Sequence, residues 1–476
     1  MKSLLAIFFI FFLFLNSYSQ DGIGAWTQTY SNGGRIYGIS ISPSNQNIIF
    51  ICGLDSGIYK STNSGLNWIQ CNTGLLYTHV QCVAVAPSNP NVVYAGTDSL
   101  GGWTNSGVYK STDAGASWTN VSAGIYDSKG VQAIVVHPTN PNIVYVGVFN
   151  ALAVSAVGLW KTTDGGTTWS AANTGIDNKQ ILAIAFNPLN PNVLYAGTSM
   201  IDPTNSYGPC KIFKTVNGGT SWVSVVTGIP QTQTDNNPIR CLSVSNFDTS
   251  VVLAGIFINA TALTGGMYVT TNGGASWTQK QTGLPNATGT LPRACLIKPG
   301  SSTEFYVGID QSSATGTMGM FRSTDGGNSW SDFNGGSIGS SVTTIRAIAF
   351  KTTGNPTLYA GAATTSGVRG LHEFSWLASG ISNQNSSVPS KFDMLQNYPN
   401  PFNPVTKVSY QLPVSGFVNL KVYDLLGREV AVLVNNYQKA GYYNVEFNGL
   451  NYNSGVYFYR LTTEKFVSTK KMILSK

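Results

Sequence analysis

An eight-residue pattern, Ser/Thr-x-Asp/Asn-x-Gly-x-x-Trp, occurs six times in this chain and limits its possible folds more than any other feature. The fixed positions are Ser61, Asn63, Gly65 and Trp68; Ser111, Asp113, Gly115 and Trp118; and Thr162, Asp164, Gly166 and Trp169. They continue as Thr215, Asn217, Gly219 and Trp222; Thr270, Asn272, Gly274 and Trp277; and Ser323, Asp325, Gly327 and Trp330. Successive tryptophans stand 50, 51, 53, 55 and 53 residues apart. A steady period of that size means one supersecondary unit, repeated and packed against copies of itself.

The spacing has a mechanical reason. Ser/Thr and Asp/Asn side chains accept hydrogen bonds from backbone N–H groups a few residues on, which closes a tight turn. The glycine supplies the positive φ that such a turn needs. The tryptophan opens the next strand and is large enough to wedge between neighbouring sheets.

Around each box the strands are legible. Val80–Ala86 is an apolar run ended by Pro87-Ser88-Asn89-Pro90-Asn91, Val92–Gly96 is a second, Gly107–Ser111 a third and Trp118–Ser122 a fourth. First-strand segments number seven, one more than the boxes: Ile36–Ser42, Val80–Ala86, Val131–His137, Ile181–Asn187, Ile239–Ser245, Arg293–Pro299 and Ile345–Lys351. Seven four-stranded units predict an all-β, seven-bladed β-propeller. The unmatched segment Gly24–Thr29 reads as a fourth strand without a blade of its own. Docked beside Gly370–Ser375 it would close the ring, with Trp26 in place of a seventh box tryptophan.

The boxes resemble the Asp-box (bacterial neuraminidase repeat) motif, which in that family sits between the third and fourth strands of a propeller blade as a structural fastener. The resemblance extends more to the sortilin and photosystem II assembly-factor branch than to the hydrolases.

The remaining chain is organised around export. Residues 1–19 read as a signal peptide: Lys2, the apolar run Leu4–Leu15, and small residues at Ser17 and Ser19 before Gln20. Residues 20–378 form the propeller, and 379–391, rich in Ser and Asn, a linker. Residues 392–476 change style, with no box and six further strand-like runs that predict a small immunoglobulin-like β-sandwich. This segment resembles the type A C-terminal sorting domain of the type IX secretion system. The resemblance is carried by Asn397–Pro404, Val422–Arg428, Ser454–Arg460 (with Gly455, Tyr457 and Arg460) and the closing Lys470, Lys471 and Met472. It implies the type IX machinery as a partner and secretion to the cell surface or beyond in a Bacteroidota-like Gram-negative host. It also implies a mature product that loses the chain after about Ser390. The mature chain contains no transmembrane candidate.

The formal charge of +7 comes from scattered basic residues without the stripe that nucleic-acid binding requires, so nucleic acid is not an expected partner. The cysteines, Cys52, Cys71, Cys82, Cys210, Cys241 and Cys295, lack metal or redox spacing and read mainly as small buried hydrophobes. Cys71–Cys82 is the one bridge to check for. His79, His137 and His372 fall in different repeats, and neither a metal site nor a cofactor is expected.

Strand direction puts the box turns and the turns after strand one on one face. The longer, unequal loops lie on the other: Thr97–Ser106, Val148–Val157, Thr198–Pro209, Ile256–Gly265 and Ile309–Thr317. Irregular loops on a rigid frame are where recognition concentrates. Trp103, Phe149, Tyr207 and Phe257 are the aromatics there.

Arg240, Arg293 and Arg346 occupy one matched first-strand position, filled elsewhere by Tyr37, Gln81, Gln132 and Leu182. Together near the axis they could hold an anion; the competing reading is hydrogen bonding to carbonyls of neighbouring blades. Sialidases, which share the Asp box, use an arginine triad, but they also need a Tyr–Glu pair, and Glu304 and Glu373 are poorly placed for that. Asp98, Asp127, Asp177, Asp202, Asp235 and Asp310 lie in loops of the same face without an evident catalytic pair. The resemblance to Asp-box xyloglucanases implies an aspartate pair in a cleft between two propellers, where this chain has one. Gly335-Gly336-Ser337-Ile338-Gly339 spells Gly-x-Ser-x-Gly without the helix a nucleophile elbow needs, and reads as loop composition.

The expectation is therefore a secreted, non-catalytic propeller that binds an extracellular glycan or protein. The alternative is a glycoside hydrolase of sialidase or xyloglucanase type.

Overall fold

The computed structural model describes the chain apart from residues 1–25, 31–33, 55, 99–104, 126–129, 150–157, 178–179, 200–208, 232–236, 259–264, 286–288, 312–317, 339–342, 365–367, 376–390, 439 and 476. The signal segment, most of the linker, Trp103, Tyr207, Asp127, Asp202 and Asp235 thus lie outside the described residues. The chain divides into two compact units, Met1–Ser379 and Gly380–Lys476.

The first unit contains seven four-stranded antiparallel sheets among the described residues. Blade two is typical: Val80–Val85, Val93–Thr97, Val108–Ser111 and Thr119–Asn120 run from inside to outside. The innermost strand of each blade packs against that of the next, and the seventh, Ile345–Lys351, packs against the first, Ile36–Ile41. The unit is a closed seven-bladed propeller.

Close approach of these inner strands is permitted by a glycine in each second strand. A Cβ on Gly197 would lie 2.6 Å from Ile239 in the next blade, and one on Gly308 at 2.6 Å from Ile345. Large side chains fill the space between blades, where Phe50, Tyr94, Tyr145, Tyr195 and Phe305 have essentially no exposed surface.

The boxes close their turns as the spacing requires. In blade two, Ser111 Oγ donates to Asp113 Oδ1 (2.7 Å) and accepts from Gly115 N–H (2.7 Å). Asp113 Oδ1 also accepts from Ser117 N–H at 2.9 Å. The fourth strand is shorter than expected: it is Thr119–Asn120, not Trp118–Ser122. The reason is that Trp118 is engaged across the blade boundary. Its backbone N–H donates to Thr73 O (2.9 Å) and its indole Nε1 to Cys71 O (2.8 Å). Trp169, Trp277 and Trp330 repeat the indole bond, to Val121, Val225 and Lys280.

Ring closure uses the strand Trp26–Tyr30, which pairs antiparallel with Arg369–Ser375 as the outermost strand of blade seven. All six cysteines are free, so the Cys71–Cys82 bridge is not formed. Cys82 is half-buried, and desolvation raises its thiol pKa to about 12, as suits a small core hydrophobe.

The second unit packs a three-stranded sheet, containing Val405–Leu412 and Gly441–Asn448, and a four-stranded one. The latter holds Gly416–Tyr423, Glu429–Gln438, Gly455–Thr462 and Val467–Leu474. Alternation puts Val418, Leu420, Val422, Tyr457, Tyr459, Leu461, Met472 and Leu474 in one core. Of the predicted sorting residues, Tyr457 and Met472 are buried, whereas Arg460 and Lys471 are exposed.

Candidate functional site at the propeller axis

Each inner strand carries a β-bulge at the same place. Pairing skips Tyr37, Gln81, Gln132 and Leu182 in blades one to four, and Arg240, Arg293 and Arg346 in blades five to seven. A bulge leaves its residue unpaired and re-aims its side chain. Because these strands surround the axis and the bulges stand near their starts, the seven side chains ring the axis toward the face opposite the boxes. The matched position seen in the sequence is thus a bulge position, which no local signal in the inner strands announces.

The three arginines are brought together. Arg293 Nε and Arg346 Nη2 both reach Asp310 Oδ2, at 3.2 and 3.3 Å. Asp310 Oδ1 accepts from Thr344 Oγ1 at 3.0 Å. Arg293 and Arg346 therefore bond a carboxylate, where the competing expectation was neighbouring-blade carbonyls. Asp310 itself was expected in a loop, but it stands in the strand Phe305–Gln311 and is buried. The Arg346 guanidinium also stacks over the Tyr37 ring, 4.5 Å from its centroid.

Arg240 completes the crescent. Its pKa is lowered to about 10, first by burial and then by the positive charges of Arg293 and Arg346. Arg346 is lowered by burial and by Arg293. Blade two shows the neutral version of the same device, with Gln81 donating to the buried Asp98 at 3.0 Å. Of the other expected residues, Asp177 is exposed and paired with Lys211, and Phe257 is half-buried.

The Gly-x-Ser-x-Gly match has a structural counterpart that sequence reasoning missed. Ser337 lies in a three-residue turn, Gly336–Ile338, with its Oγ 2.7 Å from His372 Nδ1. His372 Nε2 faces Arg369 O at 3.3 Å, not a carboxylate, and His372 is only 1% exposed. Burial lowers the His372 pKa, which keeps the ring neutral and consistent with a satisfied internal histidine. Among the described residues no three His, Cys, Asp or Glu side chains are grouped to hold a metal ion. No helix among them is long and apolar enough to cross a membrane.

Comparison with known proteins adds three kinds of likeness. Residues 396–475 match the family of secretion system C-terminal sorting domains. A xyloglucanase of Hypocrea jecorina (strain QM6a) is 26% identical over 321 residues, covering 63% of this chain and 32% of that enzyme. The chain thus spans about a third of the curated relative it matches. Among solved structures, a GH74 enzyme of Niastella koreensis aligns with a TM-score of 0.50 and 16% identity, over 91% of this chain and 65% of that one. YCF48 from Cyanidioschyzon merolae aligns with a TM-score of 0.48 and 15% identity, over 74% of this chain and 98% of that one. The likeness to the Niastella enzyme bears on the fold.

Proposed function

We propose that this protein, a seven-bladed propeller exported through the type IX secretion system by its C-terminal sorting domain, is directed at an extracellular polysaccharide. Its reading as a glycoside hydrolase is the better supported one. The observation that carries this is the 26% identity to a xyloglucanase over 321 residues. That stretch amounts to most of a propeller, so it supports a glycan-directed ancestry for the blades themselves. The hydrolase reading thereby gains over the non-catalytic one, which rested on the resemblance to the sortilin and assembly-factor branch and on the lack of an evident aspartate pair.

One geometric observation supports the second reading, a binding or adhesive propeller. Hydrolysis by inversion needs two carboxyls about 6.5–9.5 Å apart, one of them free to take a proton. Asp98 and Asp310 are both committed, to Gln81 and to Arg293, Arg346 and Thr344.

The test is incubation of the purified full chain with a panel of plant and bacterial polysaccharides, reading reducing ends and retention on the insoluble polymer together. New reducing ends from any polymer are expected under the hydrolase reading. Retention without cleavage selects the binding reading. Neither cleavage nor retention on any polysaccharide removes both.

A further inference from the structure

Ring closure leaves an unbalanced charge at the axis. Three guanidinium groups converge there, and among the described residues one carboxylate, Asp310, lies within ion-pair distance of any of them. That carboxylate is already shared: Oδ2 takes Arg293 and Arg346, and Oδ1 takes Thr344. Arg240 forms no ion pair among the described residues. Its Nε, like that of Arg346, is buried without a hydrogen-bond acceptor. A buried charged donor left unpaired costs stability that folding alone does not return.

Nor does the backbone device need the cations. The same bulge carries uncharged Gln132 and Leu182 in blades three and four. The arginines therefore serve something that the described part of the ring does not supply.

We propose that Arg240, Arg293 and Arg346 bind an anionic group on a polysaccharide, a uronate carboxylate or a sulfate ester, with Arg240 as the arginine that Asp310 leaves for the ligand. This deepens the polysaccharide-directed reading and rests on it. The Nε/Nη edge of a guanidinium offers two parallel donors to one anion, and in a half-buried site such charge-assisted bonds are strong. Asp310 holds Arg293 and Arg346 in place, and Tyr37 supports the Arg346 plane from beneath. Access remains, because the Arg293 and Arg346 side chains are 21% and 24% exposed. The site lies toward the face opposite the box turns.

The test is calorimetric titration of the full chain and of Arg240→Gln with four probes. These are oligogalacturonate, a sulfated galactan oligosaccharide, a neutral xyloglucan oligosaccharide and monomeric glucuronate. At least one acidic oligosaccharide should bind the wild type, more weakly as sodium chloride is raised, and at least tenfold more weakly to Arg240→Gln. The preferred acidic probe assigns carboxylate or sulfate. The unfolding temperature of Arg240→Gln should be unchanged or higher, since a half-buried cation with an unbonded Nε has gone. Should that variant fail to fold, Arg240→Lys, which keeps the charge and loses the planar fork, should fold and bind with intermediate affinity.

Acidic probes that bind wild type and variant equally would overturn the proposal. So would neutral xyloglucan binding both proteins alike with no acidic probe bound, which would leave the polysaccharide reading standing. Glucuronate bound through Arg240 with no oligosaccharide bound would support the anion site and remove the polysaccharide reading instead.

Discussion

Trp26 and Phe333 stand 307 positions apart and are joined by a 2.7 Å hydrogen bond from the indole Nε1 to the backbone carbonyl. Phe333 is the third residue after Trp330, just as Cys71 follows Trp68 and Val121 follows Trp118. Trp26 therefore makes, across the closing joint, the bond that Trp118, Trp169, Trp277 and Trp330 make within the ring. Its ring also packs on Phe333 and Phe374, with centroids 5.8 and 5.5 Å away.

Closure should consequently be worth as much as a core position. Trp26→Ala is expected to cost about 3–5 kcal/mol, and Trp26→Phe, which loses mainly the indole bond, about 1 kcal/mol. Urea unfolding of the two variants checks this. Equal small losses would mean that the strand Trp26–Tyr30 only decorates blade seven.

A second repeated glycine lies six residues after each box tryptophan. Gly228 has φ +90°, and a Cβ there would stand 2.1 Å from Trp277 O. Gly228→Ala should cost more than about 2 kcal/mol, combining a left-handed backbone with a backbone clash. Gly326→Ala, at φ +73° with nothing within 4 Å, should cost only about 1 kcal/mol. Thermal unfolding of both separates contact from conformation.

Acid should loosen the aspartate boxes before the asparagine ones. Hydrogen bonds from Ser117 and Ser111 hold the Asp113 carboxyl at about 2, below the ordinary aspartate value of 3.8. A depressed folded-state pKa stabilises the fold fully above the unfolded value and less and less as pH falls through the folded one. The loss should therefore run from about pH 4 down to pH 2. Asp113→Asn should abolish that box's share of the pH dependence while keeping the turn, because Asn217 already accepts from Thr215 Oγ1 (2.8 Å) and Ser221 N–H (3.0 Å). Denaturant midpoints measured from pH 2 to 5 test both statements.

Asp310→Asn should be the most damaging single change at the axis. It leaves Arg293 and Arg346 without their shared counter-charge, a loss of about 3–5 kcal/mol for a buried pair broken on one side. Added sulfate should raise the unfolding temperature of this variant more than that of the wild type. An equal response would show that the arginines do not sense the missing charge.

The sorting domain should fail from its last strand. Val467–Leu474 pairs along Gly455–Thr462 and buries Met472 completely. Removing residues 470–476 should leave the protein in the periplasm, and Met472→Asp should do the same through the core. Lys471→Ala, at an exposed position, separates address from stability: a folded domain that is no longer exported would place the signal on that surface.

The sequence by itself determined what depends on short offsets. Ser111, Asp113, Gly115 and Ser117 bond one another across two to four residues, so the turn is written in the spelling and its repetition sets the number of blades. The closure followed from counting instead, because one blade lacked a fourth strand and the strand of Trp26 lacked a blade. Only the tertiary structure decided what happens between repeats. Lys60, Lys110, Lys161 and Lys214 each reach a box carbonyl in the next blade. Arg322 faces a blade without a box and pairs instead with Glu304. The axis is the extreme case. A β-bulge has no fixed composition, and Arg240, Arg293 and Arg346 lie 53 residues apart in the chain, so neither their aim nor their shared Asp310 exists until the ring brings the inner strands together.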